Sequence, residues 1–222
     1  MVAFCNLTNK KVGHLFVKEK VPEDLCPSKN HGIYWYCDCD CGTKNVMVPA
    51  TYLTENGNYI QTSCGCMRPI RHFLATVKIN ISEDFLLEFI NDFERFSFLH
   101  KILFTRKGLE KPITEYSVTE YKDIIYYFYN DVQFNKVYDF WKNKSDLKEK
   151  TFYDWAKPSP DHKIPKSRGG TFDIENIHFI TVFENLAKRD MTWAEWQEFK
   201  KMTNTKSDYF IENIMNGGDA NE

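Results

Sequence analysis

The chain has no apolar run approaching the roughly 20 residues of a membrane-spanning helix, so no membrane association is expected. Its first residues, MVAFCNLTNKKVGHLF, lack the basic-then-apolar order of a secretory signal, which makes a cytoplasmic location the expectation. Excess charge of either sign is missing too: 29 Lys and Arg stand against 31 Asp and Glu. The global basicity that usually accompanies nucleic-acid binding is therefore absent, and any such role must rest on local patches. Internal repeats and low-complexity tracts are also lacking, and no cysteine occurs after residue 66. What is present supports a packed fold. Hydrophobic residues make up 42% and aromatics 16% of 222 residues, enough for one large domain or two to three small ones.

The composition divides the chain into segments, and the fold class it predicts is α+β. Residues 1–72 hold all seven cysteines and read as short strands with turns: GHLFVKEKV, GIYWYCDCDCG, NVMVPATYL and NYIQTSCGC. Residues 73–150 are aromatic-rich and helical. Residues 151–215 carry strand signals and closing helices, and 216–222 read as a flexible tail. In the middle segment Ser117 and Glu120 have capping-box spacing. Behind them Tyr121, Ile124, Ile125, Phe128, Tyr129 and Val132 line one helical face. Ser82, followed by Glu83 and Asp84, starts another helix with Leu86, Phe89, Ile90 and Phe93 on one side. Both stripes are read as core.

The cysteines are spaced for metal. Cytosolic thiols stay reduced, and clustered ones favour coordination over disulfides. Cys37, Cys39 and Cys41 alternate, Gly42 follows, and Cys64-Gly65-Cys66 comes after a gap of 22 residues. Two close pairs on strand and turn elements can aim four thiolates at one Zn²⁺. The symmetric choice is Cys39, Cys41, Cys64 and Cys66, with Cys37 as a buried thiol or substitute ligand. Cys5 and Cys26 stand alone and are read as small core residues. Trp35-Tyr-Cys37-Asp-Cys39-Asp40-Cys41-Gly42, Ser63-Cys64-Gly65-Cys66 and the leading Gly13-His-Leu15-Phe-Val17 resemble a module of phage-encoded endonucleases, over about residues 11–68.

The second motif is SPDHKIPKSRGGTFDIENIHFITVFENLAKRD, residues 159–190. Its plain reading is a surface turn followed by an ordinary strand and helix. Its pattern also predicts strand, glycine loop, alternating strand and helix, with Thr181 and Glu184 as a capping box. Asp161 at the end of the first strand and Asn185 in the first helical turn can then face each other and hold one cation, with His162 beside it. Carboxylate and amide oxygens suit Mg²⁺, and an imidazole suits general-base work at neutral pH. Asn176 is placed to brace the loop. His178, two residues on, is read as a half-exposed strand histidine. Lys163, Lys166, Arg168, Lys188 and Arg189 cluster around the motif and are expected to meet a phosphate backbone. Thr192 and Glu195 cap a last helix, with Trp193, Trp196 and Phe199 on one side, expected to pack on this unit.

Asp161-His162-Lys-Ile-Pro165, Gly169-Gly170, Asp173-Ile-Glu-Asn176-Ile177 and Asn185 resemble the pattern of the HNH endonucleases of phage and intron homing type, whose fold is the ββα-metal unit. The resemblance implies His162 as general base, Asp161 and Asn185 as ligands of Mg²⁺ or Mn²⁺, and Asn176 as the bracing catalytic-loop residue. It further implies cleavage of double-stranded DNA at a specific site in a host cytoplasm, by a chain expected to be monomeric. Many relatives flank the motif with zinc-binding cysteine pairs. Tyr153, Trp155 and Phe183 stand near those places here, so the local core is expected to be apolar rather than metal-bound. Two other readings stand beside this one: a non-catalytic DNA-binding regulator that keeps the HNH fold, and a zinc adaptor for a protein partner.

Overall fold

The computed structural model describes residues 6–28, 30, 32–54, 59–104, 109, 111–143 and 150–203. Cys5 and the tail at 216–222 lie outside them. The α+β class holds: a four-stranded sheet comes first in the chain, helices dominate the middle, and a two-stranded sheet follows. The chain divides into two compact units rather than three segments. One comprises Met1–Val77 with Ile81–Phe93, the other Lys78–Asn80 with Glu94–Glu222. Among the described residues no helix is long and apolar enough to cross a membrane.

In the first unit, strands β1 (Lys11–Val12), β2 (Leu15–Lys20), β3 (Tyr34–Cys39) and β4 (Val46–Pro49) form an antiparallel sheet in that order. Strand alternation sends Leu15 and Val17 of β2 and Trp35, Cys37 and Cys39 of β3 to one buried face. Leu7, Val48 and Leu53 complete this small core, and Cys41, Cys64 and Cys66 pack on its rim. The expected strand at NYIQTSCGC does not form: residues 59–66 run irregularly, tied by Gln61 N–H to the Tyr52 carbonyl (2.8 Å) and His14 N–H to the Thr62 carbonyl (2.7 Å). Helix α1 (Met67–Thr76) starts directly after the last cysteine. Ser82 caps α2 (Glu83–Leu87) through Phe85 N–H, but this helix stops early, and a 3₁₀ turn at Ile90–Asp92 separates it from α3 (Phe93–Phe104).

The second unit is built around aromatic side chains. Ser117 and Glu120 form the reciprocal capping box of α4 (Val118–Tyr129). The helix ends before Val132, which is 81% exposed. Asp131 accepts a 2.6 Å bond from Phe134 N–H and so starts α5 (Val132–Asn143) as a separate element. Helix α6 (Lys150–Ala156), strand β5 (Pro158–His162), strand β6 (Ile177–Thr181), α7 (Val182–Lys188) and α8 (Trp193–Met202) follow. Phe179 of β6, fully buried, meets Phe128 of α4 and Phe134 of α5 at ring distances of 5.4 and 4.8 Å. The helical pair thus forms the floor under the β5–β6 hairpin.

One buried polar pair in this unit gives a pH prediction. His100 of α3, 8% exposed, has its Nδ1 3.0 Å from the Tyr121 hydroxyl. Burial pulls its pKa down to about 4. The folded state keeps this ring neutral where the unfolded chain would take a proton, so the unfolded state binds more protons below the ordinary histidine pKa. Stability should therefore be full above pH ~6.5 and fall progressively towards the folded value, by up to about 3 kcal/mol. Urea midpoints measured across that window check this, and His100→Gln should give a shallower fall.

Candidate functional site

Four thiols converge in the first unit. The Sγ atoms of Cys39, Cys41, Cys64 and Cys66 all lie within 4.8 Å of one another. Cys39 is 3.7 Å from Cys66, and Cys41 is 3.4 Å from Cys64. A tetrahedral zinc with bonds of about 2.3 Å spaces its sulfurs about 3.8 Å apart, so the set can hold a metal ion of that kind. Strand geometry explains the choice among three alternating cysteines. Cys37 pairs with Val17 inside the sheet, is fully buried, and points its Sγ to the Trp35 carbonyl at 3.8 Å. Burial pushes its thiol up to about 11. Cys39 ends the strand, and Cys41 lies just past it. Gly65, at φ +112°, makes the bend that aims Cys64 and Cys66 at one point.

The electrostatics of the cluster already favour one thiolate. Burial raises Cys41, but hydrogen bonds from Thr43, then Cys64 and Cys39, outweigh this and bring it to about 6. Cys66 is raised, first by burial and then by its thiol neighbours. A bound cation would deprotonate such thiols. No sequence pattern marks Thr43. Its hydroxyl lies 3.2 Å from Cys41 Sγ and 3.6 Å from Cys64 Sγ, the kind of outer contact that fixes a ligand's orientation. Cys26 corrects an expectation: it is partly exposed at a turn, with its thiol on the Pro22 carbonyl, and is not a core residue.

The second cluster lies on the β5–β6 hairpin and α7. The strand–loop–strand–helix order is present, with Asp161 opposite His178 and His162 opposite Ile177 in the antiparallel register. Asn176 braces the loop as its pattern predicts. Its Oδ1 accepts from Ile164 N–H (2.9 Å), and its Nδ2 donates to the carbonyls of Ile164 (3.1 Å) and Thr171 (2.7 Å). Gly170 passes so close that an added Cβ would sit 1.7 Å from the Ile164 carbonyl oxygen. Asn176→Ala should cost about 1–3 kcal/mol through these lost bonds. Gly170→Ala should cost more, because only backbone movement relieves that overlap. Urea unfolding of the two variants checks the order.

Asp161 is buried and makes contacts the sequence did not reveal. His178 Nε2 lies 2.9 Å from its Oδ2, and the Lys188 ammonium lies 3.2 Å from Oδ2 and 3.4 Å from Oδ1. His178 is thus no half-exposed strand histidine; its ring meets the Trp193 ring edge-on at 4.4 Å. Lys188 corrects a second expectation. It is fully buried and is no surface contact for a phosphate backbone. Asn185, the fourth residue of α7, donates from Nδ2 to Ser159 Oγ (3.0 Å) and to the Pro160 carbonyl (3.2 Å). Its amide thus lies against β5 beside Asp161. No hydrogen bond joins the side chains of Asp161, His162 and Asn185 to one another.

His162 packs edge-on against Phe172 at 5.0 Å, and its Nε2 is buried without a hydrogen-bond partner. Burial, then the positive charge of Lys166, holds its pKa below the ordinary histidine value. The imidazole therefore stays neutral and able to accept a proton. Lys166 lies over the Phe172 ring at 3.4 Å. Phe172 also lines a cavity of about 680 Å³, with Lys111 and Tyr116 in its wall. Lys166, Arg168 and Arg189 are exposed and Lys163 partly so. Arg168 is paired with Glu195, and Lys163 Nζ donates to the Glu175 carbonyl at 2.6 Å.

Helix α8 closes the unit. Its Thr192–Glu195 capping box forms, and Trp193 N–H donates to the Lys163 carbonyl at 2.7 Å. The box at α7 forms only in half: Thr181 accepts from Glu184 N–H, but the Glu184 carboxylate turns to Trp196 Nε1 and Lys200 Nζ, both at 2.9 Å. Trp155 and Phe183 stack at 5.4 Å, but both are exposed, so this is an apolar contact at the surface and not the apolar core expected at that place. Comparison with protein-family models, with curated proteins and with solved structures finds no match to this chain.

Proposed function

We propose that the chain is a metal-dependent DNA endonuclease of the HNH kind. His162 acts as general base on the attacking water, and Asp161 and Asn185 supply oxygens to Mg²⁺ or Mn²⁺. The observation that carries this reading is the Asn176 side chain. It ties Ile164 and Thr171 together across the loop that follows His162, on a hairpin whose next element brings Asn185 back against β5. That is the arrangement of parts the HNH resemblance implies. One carboxylate and one amide oxygen suit a hard cation that keeps water and phosphate in its other positions. When bound, such a cation neutralises charge on the phosphorane and the leaving oxygen. His162 takes the proton, with Phe172 setting the plane of its ring. Lys166 and Arg189, both exposed, serve the phosphate backbone. The cysteine set holds zinc in this reading and stabilises the first unit rather than taking part in cleavage.

One observation favours a second reading, a non-catalytic DNA-binding regulator: the Asp161 carboxylate already faces a buried ammonium. Incubation of the purified chain with supercoiled duplex DNA separates the two. Nicking that requires Mg²⁺ supports the enzyme. Salt-sensitive DNA binding without any nicking, in either Mg²⁺ or Mn²⁺, supports the regulator.

A further inference from the structure

We infer that Lys188 is the resident counter-ion of Asp161, and that a divalent cation gains the site by displacing its ammonium. A fully buried charge costs several kcal/mol unless it is paired. Lys188 is 0% exposed, and Asp161 is its partner among the described residues. Asp161 is 7% exposed, so the carboxylate needs a cation as much as the ammonium needs an anion.

The geometry gives the order of exchange. His178 holds Oδ2 at 2.9 Å, and the Lys188 ammonium lies nearer that same oxygen (3.2 Å) than Oδ1 (3.4 Å), of which it is the sole partner among the described residues. The distance to Oδ1 is long for a bond between two charged groups, which are usually nearer about 2.8 Å. Oδ1 is therefore the less firmly held oxygen and the one a metal ion takes. Asn185 precedes Lys188 by three residues on α7, so both project from the same side of the helix towards β5. A cation between Asp161 and Asn185 enters the space the ammonium serves. Lys188 is then a positioning residue: it holds the Asp161 carboxylate paired and oriented when no metal is bound, and it weakens metal binding by competition. The inference rests on the nuclease reading only for what the bound cation goes on to do.

The test reads stability rather than cleavage. The zinc-loaded full chain is freed of other divalent cations, and its thermal midpoint is followed while Mg²⁺ is raised from none to tens of millimolar. Wild type should respond weakly, because its carboxylate already has a partner. Lys188→Met should melt lower without Mg²⁺ and recover with it, with half-saturation at least about tenfold below that of wild type. Should this variant fold only when Mg²⁺ is present, the expected result is obtained in its strongest form. Asp161→Asn/Lys188→Met should fold without Mg²⁺ and show no response to it.

The inference is overturned if Lys188→Met binds Mg²⁺ no more tightly than wild type. It is also overturned if that variant stays unfolded at every Mg²⁺ concentration, or if the double variant still responds. A wild-type chain that nicks DNA while Lys188→Met shows no gain in Mg²⁺ affinity leaves the enzyme reading intact and removes this one. A chain that never cuts DNA but shows the gain does the reverse.

Discussion

Replacing Cys64 with serine should abolish zinc binding and unfold the four-stranded sheet. Cys64 lies 3.4 Å from Cys41 across the cluster and shares the Thr43 hydroxyl with it. A serine oxygen there is a poor ligand, and three thiols leave the tetrahedron open. The consequence is large because the apolar core beneath is small. Leu7, Leu15, Val17, Trp35, Val48 and Leu53 are its buried members besides Cys37 and Cys39. Metal coordination in comparable small modules contributes on the order of 10 kcal/mol, more than such a core supplies. Metal content and circular dichroism of the purified variant give the two readings. Cys37→Ser is the control that discriminates. Its thiol points to the Trp35 carbonyl rather than to the cluster, so this variant should keep its zinc and lose only about 1–3 kcal/mol from a buried hydroxyl. If Cys37→Ser loses the metal while Cys64→Ser keeps it, the ligand set proposed here is wrong.

That ambiguity between Cys37 and its neighbours shows where sequence legibility ends. C-x-C alternation predicts three thiols on one face of a strand, but the strand ends at Cys39 and leaves Cys41 beyond it. It does not show how far the partner strands reach. The Cys37–Val17 pairing places Cys37 between strands, and that register depends on a bulge between Val17 and Glu19 which no residue pattern announces. The hairpin carries the same lesson. Its order of elements and the Asn176 brace follow from short-range chemistry and are legible in the sequence, as are the N-cap residues Ser82, Ser117, Thr181 and Thr192. The Asp161–His178 contact follows from long-range register and is not. Lys188 departs from its sequence pattern for a related reason. A Lys-Arg-Asp run looks like a solvated face, and only its three-residue spacing from Asn185 hinted that the lysine would turn inward. Val132 fitted the apolar stripe of α4 by spacing, but the Asp131 cap restarts the chain as α5 and leaves Val132 in water.

His162→Ala should lower Mg²⁺-dependent nicking by about 10²–10⁴-fold, the range for losing a positioned general base. The side chain fits that role by its surroundings as well as its type. Its Nε2 is buried with no hydrogen-bond partner, so its lone pair or proton is not committed to the fold. Phe172 at 5.0 Å fixes the ring from one side, and the Asn176 bonds hold the loop that carries Phe172. Removing the ring leaves a space of imidazole shape against an aromatic wall. Added imidazole should therefore restore part of the lost rate in His162→Ala, and restore nothing in His162→Gln, where the longer side chain fills the gap. DNA affinity should stay within about twofold in both variants, because phosphate contact rests on the exposed cations. A purely structural His162 predicts otherwise: the rate loss would track a fall in thermal stability, and imidazole would not rescue it. Equal nicking by wild type and His162→Ala removes the base from this position altogether and leaves the Asp161–Lys188 pair to be explained as part of the fold.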